Sequence, residues 1–167
     1  MDSISQRFEY QALLGEGANA QVFRVTDKNS GRELALKVAH QSLNRHVGFR
    51  FRWLRESAIA IRLAHPSIVP ICDYGQLDTG RLYMAMAIAE EGVLTETWRN
   101  GVVLKDAVAH LQSVLRGLAY IHAHGIVHQD IKPDNILLSK HAWISDFSIA
   151  RTISEVLVNP KDVAGSP

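Results

Sequence analysis

The chain has 167 residues, enough to bury one core or to divide into two small lobes. Apolar residues make up 47% and charged residues 21%, the balance of a globular chain in water, and a formal net charge of +1 gives no electrostatic case for nucleic acid or an acidic membrane surface. Cys72 is the one cysteine, which excludes an intrachain disulfide and suits a reducing compartment. The start, Met1 to Phe8, lacks the basic and apolar run of a signal peptide, and no stretch is apolar for long enough to span a bilayer. The expectation is a cytoplasmic protein with no membrane and no nucleic-acid partner.

In chain order, Phe8 to Leu14 reads as a strand running into Gly15-Glu-Gly17, with Gln21 to Thr26 as its hairpin partner. Glycines at 15 and 17 let backbone amides approach phosphate oxygens, although a plain hairpin turn accounts for them equally well. Arg32 to Ala39 follows as a strand. Leu34, Leu36 and Val38 fall on one face, and Lys37 shares the other with Ala35 and Ala39. Such a lysine serves either as a snorkelling edge residue or as a cation facing a flat ligand.

Phe49 to Ala64 has helical period, with Phe49, Trp53, Ala60 and Ala64 spaced in fours and His65-Pro66 as its stop. Glu56 lies on that apolar face, where an unpaired carboxylate is costly, so Lys37 is its expected partner. Arg50, Arg52 and Arg55 read as a solvated basic face. Ile68 to Tyr74 and Arg81 to Ile88 are predicted strands, joined by Gly75 to Gly80. A short break over Ala87 to Gly92 leads to a short helix at Thr95 to Asn100. Leu104 to His122 is the clearest helix, with one apolar stripe from Leu104 to His122 and a C-cap at Gly125.

The chemistry concentrates in Ile126-Val-His-Gln-Asp-Ile-Lys-Pro-Asp-Asn-Ile-Leu-Leu138, a polar loop between two short apolar strands. Asp130 is placed to accept a proton, Lys132 to neutralise a phosphate, and the Asn135 amide oxygen to bind a hard metal. Ala142-Trp-Ile144 completes a hairpin, and Asp146 at its end is a second candidate metal ligand. From Ile149 onward the pattern loses period and reads as a long surface loop.

In this order the motifs resemble the eukaryotic-type serine/threonine protein kinases, bacterial members included, along nearly the whole chain. Gly15-Glu-Gly-Ala-Asn-Ala-Gln-Val22 is similar to the glycine-rich loop, Ala35-Leu-Lys37 to the strand carrying the nucleotide lysine, and Glu56 to its ion-pair partner on helix C. Met86 falls at the gatekeeper position and Ala87 to Ala89 at the hinge. His128-Gln-Asp130 resembles the catalytic loop and Asp146-Phe-Ser148 the metal triplet. Gly165-Ser-Pro167 resembles the motif lining the substrate site.

The resemblance implies an α+β fold: a five-stranded antiparallel N-lobe sheet with helix C over residues 1–86, a hinge over 87–92, and a truncated, mainly helical C-lobe over 93–167. It implies ATP and Mg2+ as cofactors, with the nucleotide held by Gly15, Gly17, Val22, Ala35, Lys37, Glu56, Met86, Ala87, Ala89 and Leu137. Asn135 and Asp146 would take the metal, and Asp130 and Lys132 would act on a protein Ser/Thr hydroxyl. A Lys at 132 points to protein rather than small-molecule acceptors. The alternative is a kinase-like nucleotide-binding or scaffold module with little turnover, since the chain is expected to stop inside the activation segment and to need a partner over the incomplete lobe.

Three substitutions depart from the family pattern. Ala20 stands for the third glycine, Gln129 for the arginine that clamps a phosphorylated loop, and Ser148 for the glycine of the metal triplet. Gln129 leaves no cation at its position for a phosphate to meet, so weak dependence on loop phosphorylation is expected.

Overall fold

The computed structural model describes residues 4–147 and 150–153. They form two compact units, one drawn from Met1–Ile61 with Pro70–Ile88, the other from Arg62–Val69 with Ala89–Pro167. Among the described residues no helix is long and apolar enough to cross a membrane.

The first unit is built on a five-stranded sheet of order β1-β2-β3-β5-β4, from β1 (Phe8–Glu16), β2 (Ala20–Asp27), β3 (Arg32–Ala39), β4 (Ile71–Gln76) and β5 (Leu82–Met86), every pair antiparallel. The alternation in β3 sends Leu34, Leu36 and Val38 into a core with Phe8, Val25, Leu77, Tyr83 and Ala85. Phe8 meets Tyr83 edge to face at 5.3 Å. Full burial of such side chains contributes about 1.5–3 kcal/mol each.

Ahead of β1, Arg7 forks onto Asp27 with nitrogen–oxygen distances of 2.9 and 3.1 Å and also donates to Asp73. That pairing holds the Asp27 carboxyl down at about 2, and burial beside Asp73 pushes the Tyr83 hydroxyl up to about 12.

Helix α1 (Val47–Ala60) contacts β4 and β5 and buries Trp53, Glu56, Ser57 and Ala60. It stops four residues before the expected His65-Pro66 boundary, so the proline is not its terminator and Ala64 lies outside it. The expected strand from Ile68 is also divided. Ile68 and Val69 belong to the second unit, where Ile68 bridges Ile144 and the Val69 N–H donates to the Ile144 carbonyl at 3.0 Å. Pro70, which lacks an N–H, separates them from β4.

In the second unit β6 (Gly92–Val93), β8 (Ile136–Leu138) and β9 (Ala142–Ile144) form one small sheet, beside α2 (Leu94–Arg99) and the long α3 (Leu104–Ala123). The single stripe expected on α3 is resolved into two faces. Ser113, Val114, Gly117 and Ile121 are buried, whereas Leu104 is 78% and Leu115 64% exposed. Gly117 explains the choice of face: an added Cβ would lie 2.9 Å from the Ile144 Cδ1 and 3.0 Å from the Ser67 carbonyl oxygen. The smallest residue therefore sets the closest approach. Ser113 joins the buried side because its hydroxyl donates to the Ala142 carbonyl at 3.0 Å and meets the Ser67 hydroxyl at 2.9 Å.

The segment after Ile149 is not loop throughout. Arg151–Thr152 forms β10, antiparallel to β7 (Ile126–Val127), and the Ile153 N–H donates to the Gly125 carbonyl at 2.8 Å. Ser148, Ser154 and Gly165 to Pro167 lie outside the described residues.

Candidate active site

In the first unit Lys37 sits mid-β3, level with Val22 on β2 and Met84 on β5. Its ammonium is 3.4 Å from the Glu56 carboxylate and 5.5 Å from the centre of the Trp53 ring. Both side chains of the ion pair are largely buried, where opposite charge offsets part of the cost of leaving water. Sequence period places Glu56 on the inner face of α1, but the role of Trp53 as the wall beside the ammonium is not visible there. The Trp53 indole N–H is buried without an acceptor among the described residues.

Ala35 and Met86 are register partners and both are buried. The Ala87 N–H donates to the Pro70 carbonyl at 2.9 Å. At the glycine turn the Gly17 N–H donates to the Ala20 carbonyl at 2.9 Å. An added Cβ would meet no atom within 4 Å at Gly15 and only the Ala20 carbonyl oxygen, 3.9 Å away, at Gly17. Tight turning is thus not what the glycines supply; they leave this stretch of backbone uncovered. His40, which carries no sequence signal, tethers the turn: its ring nitrogen is 2.8 Å from the Gly17 carbonyl oxygen and its backbone N–H donates to Asn19 at 3.0 Å.

In the second unit the loop after β7 gathers Asp130, Lys132 and Asn135. The Asn135 Nδ2 donates to the Asp130 backbone carbonyl at 2.8 Å and to its carboxylate Oδ2 at 2.9 Å. The Lys132 ammonium lies 2.9 Å from the same Oδ2, and that bond raises the lysine above its ordinary value. With its Nδ2 committed twice, Asn135 has its Oδ1 for a hard cation, consistent with an oxygen donor set shared with nearby carboxylates.

Beneath this cluster, His128 is fully buried, with its ring edge-on to Phe147 at 4.9 Å. The Asp130 N–H donates to His128 Nδ1 at 3.3 Å, so Nε2 carries the proton and donates to the Ser145 carbonyl at 2.9 Å. Burial pushes the imidazole below its ordinary value, which keeps this neutral tautomer.

Ser145, like His40, is a residue that sequence reasoning missed. Its N–H and its hydroxyl both donate to the Asn135 carbonyl, each at 2.9 Å, so it ties the loop to the end of β9. The next residue, Asp146, has φ of 60°, and its carboxylate acts electrostatically on both His128 and Lys132. Gln129 also has positive φ, at 67°. Such backbone costs an L-residue roughly 1–2 kcal/mol, and here it occurs next to Asp130 and at Asp146 itself. Leu137 lies in β8 opposite Trp143, and the Ala89 carbonyl accepts the Gly92 N–H at 3.1 Å.

Comparison with known proteins finds similarity along most of the chain. The model of the protein kinase domain matches residues 8–167. The DNA damage-responsive serine/threonine-protein kinase RqkA of Deinococcus radiodurans is 43% identical over 143 residues, covering 81% of this chain and 20% of that protein. Serine/threonine-protein kinase PknJ of Mycobacterium tuberculosis is 34% identical over 160 residues, 92% of this chain and 27% of that one. Serine/threonine-protein kinase PknD of the same species is 34% identical over 152 residues, 89% of this chain and 23% of that one. The chain thus spans between 20% and 27% of each relative's length.

Proposed function

Since the chain belongs to the protein kinase domain family, we propose that it carries the phosphoryl-transfer chemistry of a serine/threonine kinase, moving the ATP γ-phosphoryl group to a protein hydroxyl. The observation that carries this reading is the Asp130 carboxylate, held on one oxygen by both the Asn135 amide and the Lys132 ammonium. Asp130 orients the incoming hydroxyl and takes its proton as the oxygen–phosphorus bond forms and ADP leaves. Lys132, already fixed by charge, steadies the transferring group.

Lys37, locked by Glu56, supplies the cation for the nucleotide phosphates, with the uncovered backbone at Gly15 and Gly17 and the side chain of Val22 on the same unit. Ala35, Met86 and the carbonyl of Ala87 offer an apolar wall and an acceptor for adenine; in the second unit the Ala89 N–H and Leu137 play the matching part. Asn135 and Asp146 are the oxygen ligands for Mg2+, which when bound offsets phosphate charge. Most of the rate enhancement comes from positioning and electrostatics.

The same reading assigns residues 1–86 to the N-lobe, 87–92 to the hinge and 93–167 to part of a C-lobe, whose exposed α3 face is completed by a protein partner or further chain. Its exposed free thiol at Cys72 suits the cytoplasm.

The test is direct. Mg2+ with ATP raises the melting temperature of the chain, because a ligand that binds only the folded state stabilises it, and radiolabelled phosphate passes to a generic basic protein. Asp130→Asn abolishes transfer while keeping the melting shift. Absence of both shift and transfer in the unmodified chain removes the proposal.

A further inference from the structure

Helix α1 has a second apolar face, opposite the one that packs on the sheet. Val47 is 81% exposed and Phe51 69%, and Leu54 and Ile61 are exposed as well. At roughly 100° per residue, positions 47, 51, 54, 58 and 61 fall within one stripe about 20 Å long, running past the helix end onto Ile61. A surface helix normally turns polar residues to water on this side.

The flanks are charged with a single sign. Arg50 borders one edge, Arg55 and Arg62 the other, and Arg45 and Arg52 lie close by. Between residues 45 and 62 the one acid is Glu56, which is buried on the inner face against Lys37. Five of the chain's 18 lysines and arginines therefore fall in one short stretch without an exposed acid, although the whole chain is nearly neutral at +1. A mixed-charge face would be expected if the helix simply met solvent.

We propose that the outer face of α1 is a docking surface for an acidic amphipathic helix of a partner protein. Its apolar side chains would seat on Val47, Phe51, Leu54 and Ile61, and its carboxylates would pair with Arg52 and Arg62. Three features select this occupant. A second copy docked through the same face would oppose arginine to arginine, which like-charge repulsion disfavours. Guanidinium forks match carboxylates in two-point geometry, and every cation here is an arginine.

The third feature is relief. The stripe is dented at Ala58, between Leu54 and Ile61. Dents of fixed position receive the side-chain knobs of another helix, whereas fluid acyl chains gain nothing from them. The inference uses none of the nucleotide chemistry and stands or falls apart from it.

The probe is a fluorescein-labelled helical peptide of about 15 residues with leucines spaced to match the stripe and glutamates on both flanks. Fluorescence anisotropy against the chain is expected to show one-to-one binding, weakened about tenfold or more by high salt. Phe51→Asp and the pair Arg52→Glu with Arg62→Glu are expected to abolish it. These positions are exposed, so the melting temperature and circular dichroism of the variants should match the unmodified chain. A peptide with lysines in place of the glutamates should not bind.

Equal binding of both peptides, binding unaffected by the substitutions, or no binding of the acidic peptide would each overturn the proposal. So would Phe51-dependent flotation with phosphatidylglycerol vesicles in the absence of peptide binding, which would make the face a membrane surface instead.

Discussion

The Asn135 side-chain nitrogen donates at once to the backbone carbonyl and to the carboxylate of Asp130, so one amide fixes both the loop and the acid it carries. Replacing Asn135 with alanine removes two donors, one of them to a charged group, and is expected to cost about 1.5–3 kcal/mol in urea denaturation. Manganese binding followed by paramagnetic resonance should weaken with it. Ser145→Ala, which removes one hydroxyl bond to Asn135 and leaves the backbone bond, should cost about 1 kcal/mol and weaken manganese binding less.

Lys37 and Glu56 form a largely buried pair, so removing one partner takes a compensating charge from the other. Lys37→Met alone is expected to destabilise the fold by about 2 kcal/mol, a value reduced from that of a sealed pair because the lysine retains some solvent. The double variant Lys37→Met, Glu56→Leu should recover most of that loss while remaining unable to transfer phosphate. A double-mutant cycle in guanidinium measures the difference.

His128 makes stability depend on pH near neutrality. Burial lowers its folded-state value below the ordinary 6.5, so the unfolded chain binds the proton more tightly. Its contribution is complete above about pH 6.5 and is lost as pH falls towards the folded value. His128→Asn should flatten this part of the profile, read from denaturation midpoints over that range.

Asp27 acts in a more acid window. Its carboxyl falls from 3.8 to about 2 on folding, chiefly through Arg7, which corresponds to about 2 kcal/mol of stability at neutral pH. That contribution is present above pH 3.8 and disappears as pH drops through about 2. Asp27→Asn should lower neutral stability and abolish this acid limb.

Thr152→Glu tests whether a negative charge after the metal triplet activates the chain. With Gln129 in place of a clamping arginine, phosphate transfer is expected to change by less than about threefold. A strong rise would show that another cation serves the clamp.

The sequence made the site legible where chemistry and period coincide. Lys37 and Glu56 each break an apolar pattern, so their pairing is a deduction from burial cost, and Asp130, Lys132 and Asn135 are adjacent in the chain. Residues that act through backbone bonds left no such trace. Ser145 looks like any serine beside a strand, and His40 like any polar strand end, because a carbonyl partner has no sequence identity.

Period also misled where two faces of one helix are apolar. The α3 stripe merged a buried face on Val114 and Ile121 with an exposed one on Leu104 and Leu115, and only the close approach at Gly117 separates them. The expected strand from Ile68 failed similarly: apolar content was right, but Pro70 hands its two sides to different units.

The pairing of β10 with β7 has a consequence for how this segment tolerates change. The ladder uses main-chain groups at Arg151, Thr152 and Ile153, so it reads geometry and is blind to side-chain identity. Exchanges that keep the main-chain N–H and carbonyl at these positions would keep this ladder. Proline is the exception. At Ile153 it would delete the N–H that meets the Gly125 carbonyl, and with it the last rung.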